Sequence, residues 1–195
     1  MGTQGEPPRK PKSTTVRKED HFERPDVERL IKQAGMFGRH RHRDMTMCLF
    51  AFRHGMRAHE LVAMLEWQQF DFTRKEVMIL RCKGSRSRDH TLEKDEIAAL
   101  KKLGPKSYGP VFENERGGPM SENSFFKIVQ RAGRRAGLGP HVQPHALRHS
   151  CGYELVNRGL PLRLIQDWLG HKNVQNTVRY TQLGADIFRK VRMWA

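Results

Sequence analysis

The chain has 195 residues, 37% of them hydrophobic and 29% charged, and its 36 Lys and Arg against 21 Asp and Glu give a formal charge of +15. That length suits one good core; no apolar run reaches the roughly 18 residues that span a bilayer, and the opening MGTQGEPPRKPKSTTVRKED lacks the apolar stretch of a secretory signal. So much positive charge fits a nucleic-acid partner, with an anionic membrane surface as a competitor that no basic amphipathic helix supports.

Residues 1–21 are rich in Pro, Lys, Arg, Ser and Thr and read as a flexible basic tail. From Pro25 the pattern is helical: DVERLIKQAG puts Val27, Leu30, Ile31 and Ala34 on one face, with Gly35 as a stop. A second helix is expected over DMTMCLFAFRH, ending near Gly55, and a third over AHELVAMLEW. Between residues 68 and 92, FDF, VMILR and DHTL are short β-like runs, which predicts a small antiparallel sheet. EKDEIAALKKLG returns to helix, and SENSFFKIVQRAGRRAGLG predicts another with Ser121 as N-cap. Lys127, Arg131, Arg134 and Arg135 make that helix basic. The remainder reads as several short helices, so the fold class is mainly α with a small antiparallel β-sheet in one domain over residues 22–195. Cys48, Cys82 and Cys151 lack CxxC spacing, which suggests neither a zinc site nor a disulfide framework and fits a reducing, intracellular setting.

The chemistry gathers around Tyr180, one of only three tyrosines. In PHALRHSCGYELVNRG, Leu147, Cys151 and Leu155 form a stripe, while His145 and Arg148 lie off it as neighbours on one turn. Gly170 suits a left-handed C-terminal position after LPLRLIQDWL, and Asn173 can cap VQNTVRYTQL. His171 then sits in a turn between helices, and that turn allows His171 and Tyr180 to converge, whereas nine residues of unbroken helix would point them apart. Arg57 follows a glycine turn at a helix start, three residues before Glu60, which could orient its guanidinium. Lys83 stands beside Gly84 between two strands, with Arg81, Arg86 and Arg88 crowding the same loop. Taken singly, each of these is equally an ordinary surface ion pair, a basic turn or a half-buried aromatic.

Taken in order, GMRAHEL, Lys-Gly in a hairpin, HALRHS, LGHKN and TVRYT resemble the tyrosine recombinases, the phage integrase family, and above all its short fimbrial phase-switch DNA invertases. The resemblance spans roughly residues 22–195 and implies the tyrosine recombinase catalytic-domain fold. It implies that Tyr180 attacks a DNA phosphate to form a 3′-phosphotyrosyl link, with Arg57 and Arg148 clamping the phosphate and His171 as a third donor. It assigns Lys83 to protonating the leaving 5′-oxygen, His145 to assisting proton transfer at the nucleophile, and Glu60 to supporting the site from behind. Arg86, Arg88, Lys127, Arg131, Arg134 and Arg135 are the expected DNA contacts. Neither metal nor cofactor is implied, because one phosphate ester is exchanged for another.

The resemblance also implies a homo-tetramer on DNA carrying specific recombination sites, with a monomer possible in isolation, DNA-bending accessory proteins as possible helpers, no membrane partner, and a place in the bacterial cytoplasm with the nucleoid. The C-terminal GADIFRKVRMWA is expected to place Ile187, Phe188, Val191 and Trp194 on a neighbouring subunit. One departure stands out: most family members carry a separate N-terminal helical domain, and here only about 20 residues precede the catalytic region. Competing readings are integration and excision of a mobile element, a type IB topoisomerase, a non-catalytic DNA-binding regulator, and an RNA-binding domain. The last lacks an aromatic stacking platform.

Overall fold

The computed structural model describes residues 21–181 apart from residue 141. Most of the basic tail and the apolar set Ile187, Phe188, Val191 and Trp194 lie outside the described residues. Eight α-helices and three short strands are found among those described, and none of the helices is long and apolar enough to cross a membrane.

Helix α1 (Arg24–Met36) opens on Pro25 and buries Val27, Leu30 and Ala34, the face its spacing predicts. It runs one residue past Gly35. Helix α2 (Arg41–Arg53) starts three residues earlier than the sequence suggests and buries Met47, Cys48, Phe50, Ala51 and Phe52. Those residues cover more than one side of the helix, as a central element requires, and α2 indeed packs against α1 and against the later helices over Lys94–Leu103, Glu122–Arg135 and Pro144–Asn157.

The third helix is shorter than expected. Helix α3 is Ala58–Ala63, and the chain then leaves helical geometry for a 3-10 turn over Trp67–Gln69. The reason is long-range pairing: Trp67 N–H donates to Gly109 O at 2.9 Å and Val111 N–H to Leu65 O at 3.2 Å. Leu65 and Trp67 are buried anyway, so the apolar spacing that predicts helix here is satisfied by an extended segment.

Strands β1 (Phe70–Asp71), β2 (Glu76–Ile79) and β3 (Arg88–Thr91) form the small antiparallel sheet in the order β1-β2-β3. Val77 pairs with His90 and Ile79 with Arg88. Helix α4 (Lys94–Leu103) begins on a reciprocal Glu93/Glu96 cap. Helix α5 (Glu122–Arg135) begins at Ser121, whose hydroxyl accepts from Ser124 N–H at 3.1 Å. Helices α6 (Pro144–Asn157) and α7 (Leu162–Leu169) follow, the latter ending on Gly170 at φ +70°.

The last helix is also short. Helix α8 covers only Gln175–Val178. Asn173 Oδ1 accepts from Gln175 N–H at 2.9 Å, but the N-cap position falls on Val174 and not on the expected Asn173, and Tyr180 lies in a turn beyond the helix rather than within it. The start of α3, the β2–β3 connection, the first half of α6 and the α7–α8 turn converge on one face, where the candidate site lies.

Candidate active site

Glu60 is the anchor. Its side chain is fully buried in α3, a position a carboxylate holds only when cations and donors surround it. Arg57, the residue before α3, donates Nη1 to Glu60 Oε1 at 2.7 Å and its backbone N–H to Oε2 at 2.9 Å. Arg81 Nη1 donates to Oε2 at 2.9 Å and Cys82 N–H to Oε1 at 3.2 Å. Arg148 Nη1 stands 3.9 Å from Oε2. Burial alone would raise this carboxyl; Arg81, the Arg57 backbone and Arg148 together hold it down at about 2.

Three guanidinium groups therefore share one carboxylate, and the site carries a surplus of positive charge. Arg148 is 2% exposed. It donates Nη1 to Gly55 O and Nη2 to Leu169 O at 2.7 Å. Burial, then Arg81 and Arg57, push its pKa down to about 10, so it stays charged at neutral pH. Arg57 is the accessible one, with 36% of its side chain exposed, and its Nη1 also reaches Ser85 Oγ at 3.1 Å in the β2–β3 connection. An oxyanion entering here would meet cations already fixed in place, the condition under which donors stabilise developing negative charge best.

His171 follows Gly170 in the α7–α8 turn, is 8% exposed, and meets Thr177 Oγ1 through Nδ1 at 2.9 Å. A Thr177 hydroxyl donating to Nδ1 leaves the proton of the neutral ring on Nε2, free to donate to an acceptor. Burial first, then Arg148 and Arg57, lowers its pKa to about 3. The His171 ring lies nearly parallel to that of Tyr180, with 6.3 Å between centroids and 11° between planes.

Tyr180 is 2% exposed, and its hydroxyl is 3.2 Å from His149 Nδ1. Burial pushes the phenol up to about 12, against the pull of Arg148 and Arg179. The ring fits because α6 carries glycine at position 152: a Cβ there would lie 2.7 Å from Tyr180 Cζ. His145, the histidine assigned to proton transfer, is exposed and stands edge-on to His149 with 4.3 Å between centroids. The histidine that touches the tyrosine hydroxyl is His149.

Lys83 is exposed in the β2–β3 connection. Arg86 and Arg88 are exposed nearby, and Arg88 Nη2 is 3.8 Å from Asp167. On α5, Lys127 and Arg134 are exposed. Arg131 and Arg135 are exposed too; Arg131 reaches Asp44 of α2 at 3.2 Å, Arg135 stacks over the Phe37 ring at 4.1 Å, and Arg134 reaches Gln130 Oε1 at 3.2 Å. An open hollow of about 550 Å³ lies between Arg57, Asn123, Phe126, Gln143 and His145.

Two residues of this arrangement escape sequence reading. Arg81 resembles a loop cation, yet it continues the inward alternation of Val77 and Ile79, all three being buried. His149 lies one helical turn beyond His145, a spacing that places both rings on one face.

Residues 21–186 match the Phage integrase family. The chain belongs to that family, the tyrosine recombinases. It is 39% identical over 166 residues to Type 1 fimbriae regulatory protein FimE of Escherichia coli K12, covering 81% of this chain and 83% of FimE. It is also 39% identical over 170 residues to Type 1 fimbriae regulatory protein FimB of the same strain, covering 84% of each. Among solved structures, XerA recombinase superposes with a TM-score of 0.72 at 22% identity, covering 97% of this chain and 65% of that one. XerH site-specific recombinase bound to difH substrate gives 0.73 at 23% identity, covering 90% and 55%. At those identities the structures establish the tyrosine recombinase fold, mostly helical with a small antiparallel sheet.

Proposed function

We propose that this member of the tyrosine recombinases is a DNA invertase, a site-specific recombinase that cuts and rejoins duplex DNA through a 3′-phosphotyrosyl intermediate. The observation that supports it most is the gathering of a phenol, two imidazoles and a surplus of guanidinium groups in one place. The likeness to FimE and FimB across most of all three chains supports the setting.

In this reading Arg57 and Arg148 take the non-bridging oxygens of the scissile phosphate, and His171 donates from Nε2. The Tyr180 oxygen attacks phosphorus, its proton passing to His149, which His145 backs. The bond to the 5′-oxygen breaks, and Lys83 supplies the proton that this oxygen needs. Positioned proton transfer of this kind contributes typically ~10²–10⁴-fold. The freed 5′-hydroxyl of a second strand reverses the steps, so the ester energy is kept and no nucleotide is hydrolysed. The exposed Arg86, Arg88, Lys127, Arg131, Arg134 and Arg135 track the DNA backbone. Residues 22–195 act as the catalytic domain, four copies assemble on two duplexes, accessory proteins bend the DNA between sites, and the work is done in the cytoplasm on nucleoid DNA.

The test is capture on DNA. The protein is incubated with randomly nicked genomic DNA of its host, so that cleavage beside a nick releases the short 5′-hydroxyl strand and traps the adduct; the mixture is denatured and the covalently linked fragments are sequenced. Fragments mapping to two inverted repeats around one segment are expected. Sites on separate replicons, or in direct orientation, would assign the enzyme to integration and excision instead. Recovery of no linked fragments would overturn the recombinase reading.

A further inference from the structure

The β2–β3 connection bears the exposed Lys83, yet it is tied down on both sides of that residue. On one side, Arg81 is 6% exposed, and its guanidinium makes four hydrogen bonds. Nη1 donates to Gly55 O at 3.1 Å and Glu60 Oε2 at 2.9 Å, and Nη2 donates to His54 O and Trp168 O at 2.7 Å each. These partners come from the end of α2, from α3 and from α7, so one side chain joins three elements to the hairpin. Its neighbour Cys82 adds a backbone bond to Glu60 Oε1 at 3.2 Å. On the other side, Arg86 N–H donates to Gly170 O at 3.0 Å, Ser85 pairs with His171 in an isolated antiparallel bridge, and Ser85 Oγ takes the Arg57 guanidinium. Gly170 permits this approach: a Cβ there would stand 2.7 Å from Arg86 O and 3.0 Å from Arg81 Cγ.

A buried arginine with four acceptors is an expensive residue to place in a surface hairpin, since its desolvation must be offset by every one of those bonds. Nothing about holding a three-stranded sheet together requires it. What the ties fix is the distance between the Lys83 turn and the groups that would hold the phosphate: Arg57 through Glu60, Arg148 through Gly55, and His171 through the Gly170 carbonyl. Resting on the role of Lys83 argued above, the geometry points to Arg81 as a positioning residue: locked to Glu60 and to the Gly55 and Trp168 carbonyls, it holds the Lys83 ammonium over the leaving 5′-oxygen. Arg81 itself does not touch substrate. Lysine cannot replace it, because one ammonium on a flexible stem cannot satisfy carbonyls on three elements and a carboxylate together.

The role has a chemical signature. When the scissile bond breaks, the electron pair leaves on the 5′-oxygen as an alkoxide, whose conjugate acid, like water at ~16, is a very weak one. Protonation by Lys83 neutralises it. If the bridging atom is sulfur, the pair leaves as a thiolate, whose conjugate acid near ~8.5 is strong enough to need no proton. A residue that acts only by placing Lys83 therefore becomes dispensable on the sulfur substrate, whereas one that merely keeps the protein folded or clamps the phosphate does not.

The experiment compares single-turnover cleavage by wild type, Lys83→Ala and Arg81→Lys. The substrate is a nicked oligonucleotide carrying the site recovered by the capture above, with oxygen or sulfur at the 5′-bridging position. On the oxygen substrate, Arg81→Lys is expected to slow cleavage roughly 10- to 100-fold, inside the range of a positioned general acid. On the sulfur substrate both variants should return to within a few-fold of wild type. Rescue of Lys83→Ala without rescue of Arg81→Lys would overturn the positioning role alone. Failure to rescue Lys83→Ala would overturn the acid role of Lys83 and the proposal with it. A measurement on the wild type keeps the test open should Arg81→Lys not fold. In DNA-free protein, the Cys82 and Arg86 amides should exchange with deuterium far more slowly than those of Lys83 and Gly84. Equal rates across the turn would show an untethered hairpin and contradict the proposal.

Discussion

Glu60 sits with no exposed surface among the guanidinium groups of Arg57, Arg81 and Arg148. Removing it leaves two buried arginines facing each other without a counter-charge. Glu60→Ala should therefore lose about 3–5 kcal/mol of stability, the usual cost of breaking a buried pair from one side, readable in urea denaturation; a loss under 1 kcal/mol would mean that the cations relax into solvent. The carboxyl's pKa near 2 lies below its unfolded value. Its contribution is thus present above about pH 4.5 and is lost as pH falls toward 2. Gly152 makes a different single-atom argument. A methyl there would overlap the Tyr180 ring, although alanine is the better helix former. Gly152→Ala should keep its helical circular dichroism and slow covalent adduct formation by roughly 100-fold, as a displacement near 1 Å does to a reacting group. An unchanged rate would show that the tyrosine leaves this cradle before it reacts.

The individual elements follow local sequence where local sequence decides them. Ser121 caps α5 as its spacing predicts, and Ser121→Ala should cost about 1 kcal/mol in thermal unfolding; no change would mean that Ser124 or water replaces the cap. Pro144 opens α6 and Gly170 closes α7, also as read. The early end of α3 has a long-range cause. AHELVAMLEW has good helical spacing, but Leu65 and Trp67 pair with the 109–111 segment, and that partner is invisible from the local pattern. Arg57, Glu60, Arg148, His171 and Tyr180 are legible because each falls in an ordered motif whose turns bring it inward. Arg81 and His149 are harder to see. A buried arginine in a loop and a histidine between two better candidates declare themselves only when Glu60 and the Tyr180 hydroxyl are seen beside them.

Across the whole molecule, two buried histidines set the response to acid. His90 is held at about 2 by burial, His54 and Arg81, and His171 at about 3 by burial and the arginines. Both are neutral when folded, while the unfolded chain protonates them near ~6.5, so stability falls as pH drops below that value, by about 1 kcal/mol per pH unit for each. Melting temperature should fall steadily from pH 7 to pH 5. Site DNA should blunt the fall, because a phosphate beside His171 favours its protonated form. A flat profile would place the two rings in water. The charge of +15 acts at the same scale. Affinity for site DNA should drop by at least roughly 10³ between 50 and 200 mM salt, as for any protein neutralising six or more phosphates. A gel shift insensitive to salt would contradict an electrostatic grip.

The catalytic reading rests on one oxygen being the nucleophile. The most direct measurement is a nicked substrate that loses its short 5′-hydroxyl strand on cleavage and so traps the intermediate, followed by proteolysis and mass spectrometry of the linked peptide. Wild type should yield a single 3′-phosphoryl adduct on the peptide containing Tyr180, and Tyr180→Phe should yield none. An adduct that survives in Tyr180→Phe, or that maps to Tyr153, would contradict the account.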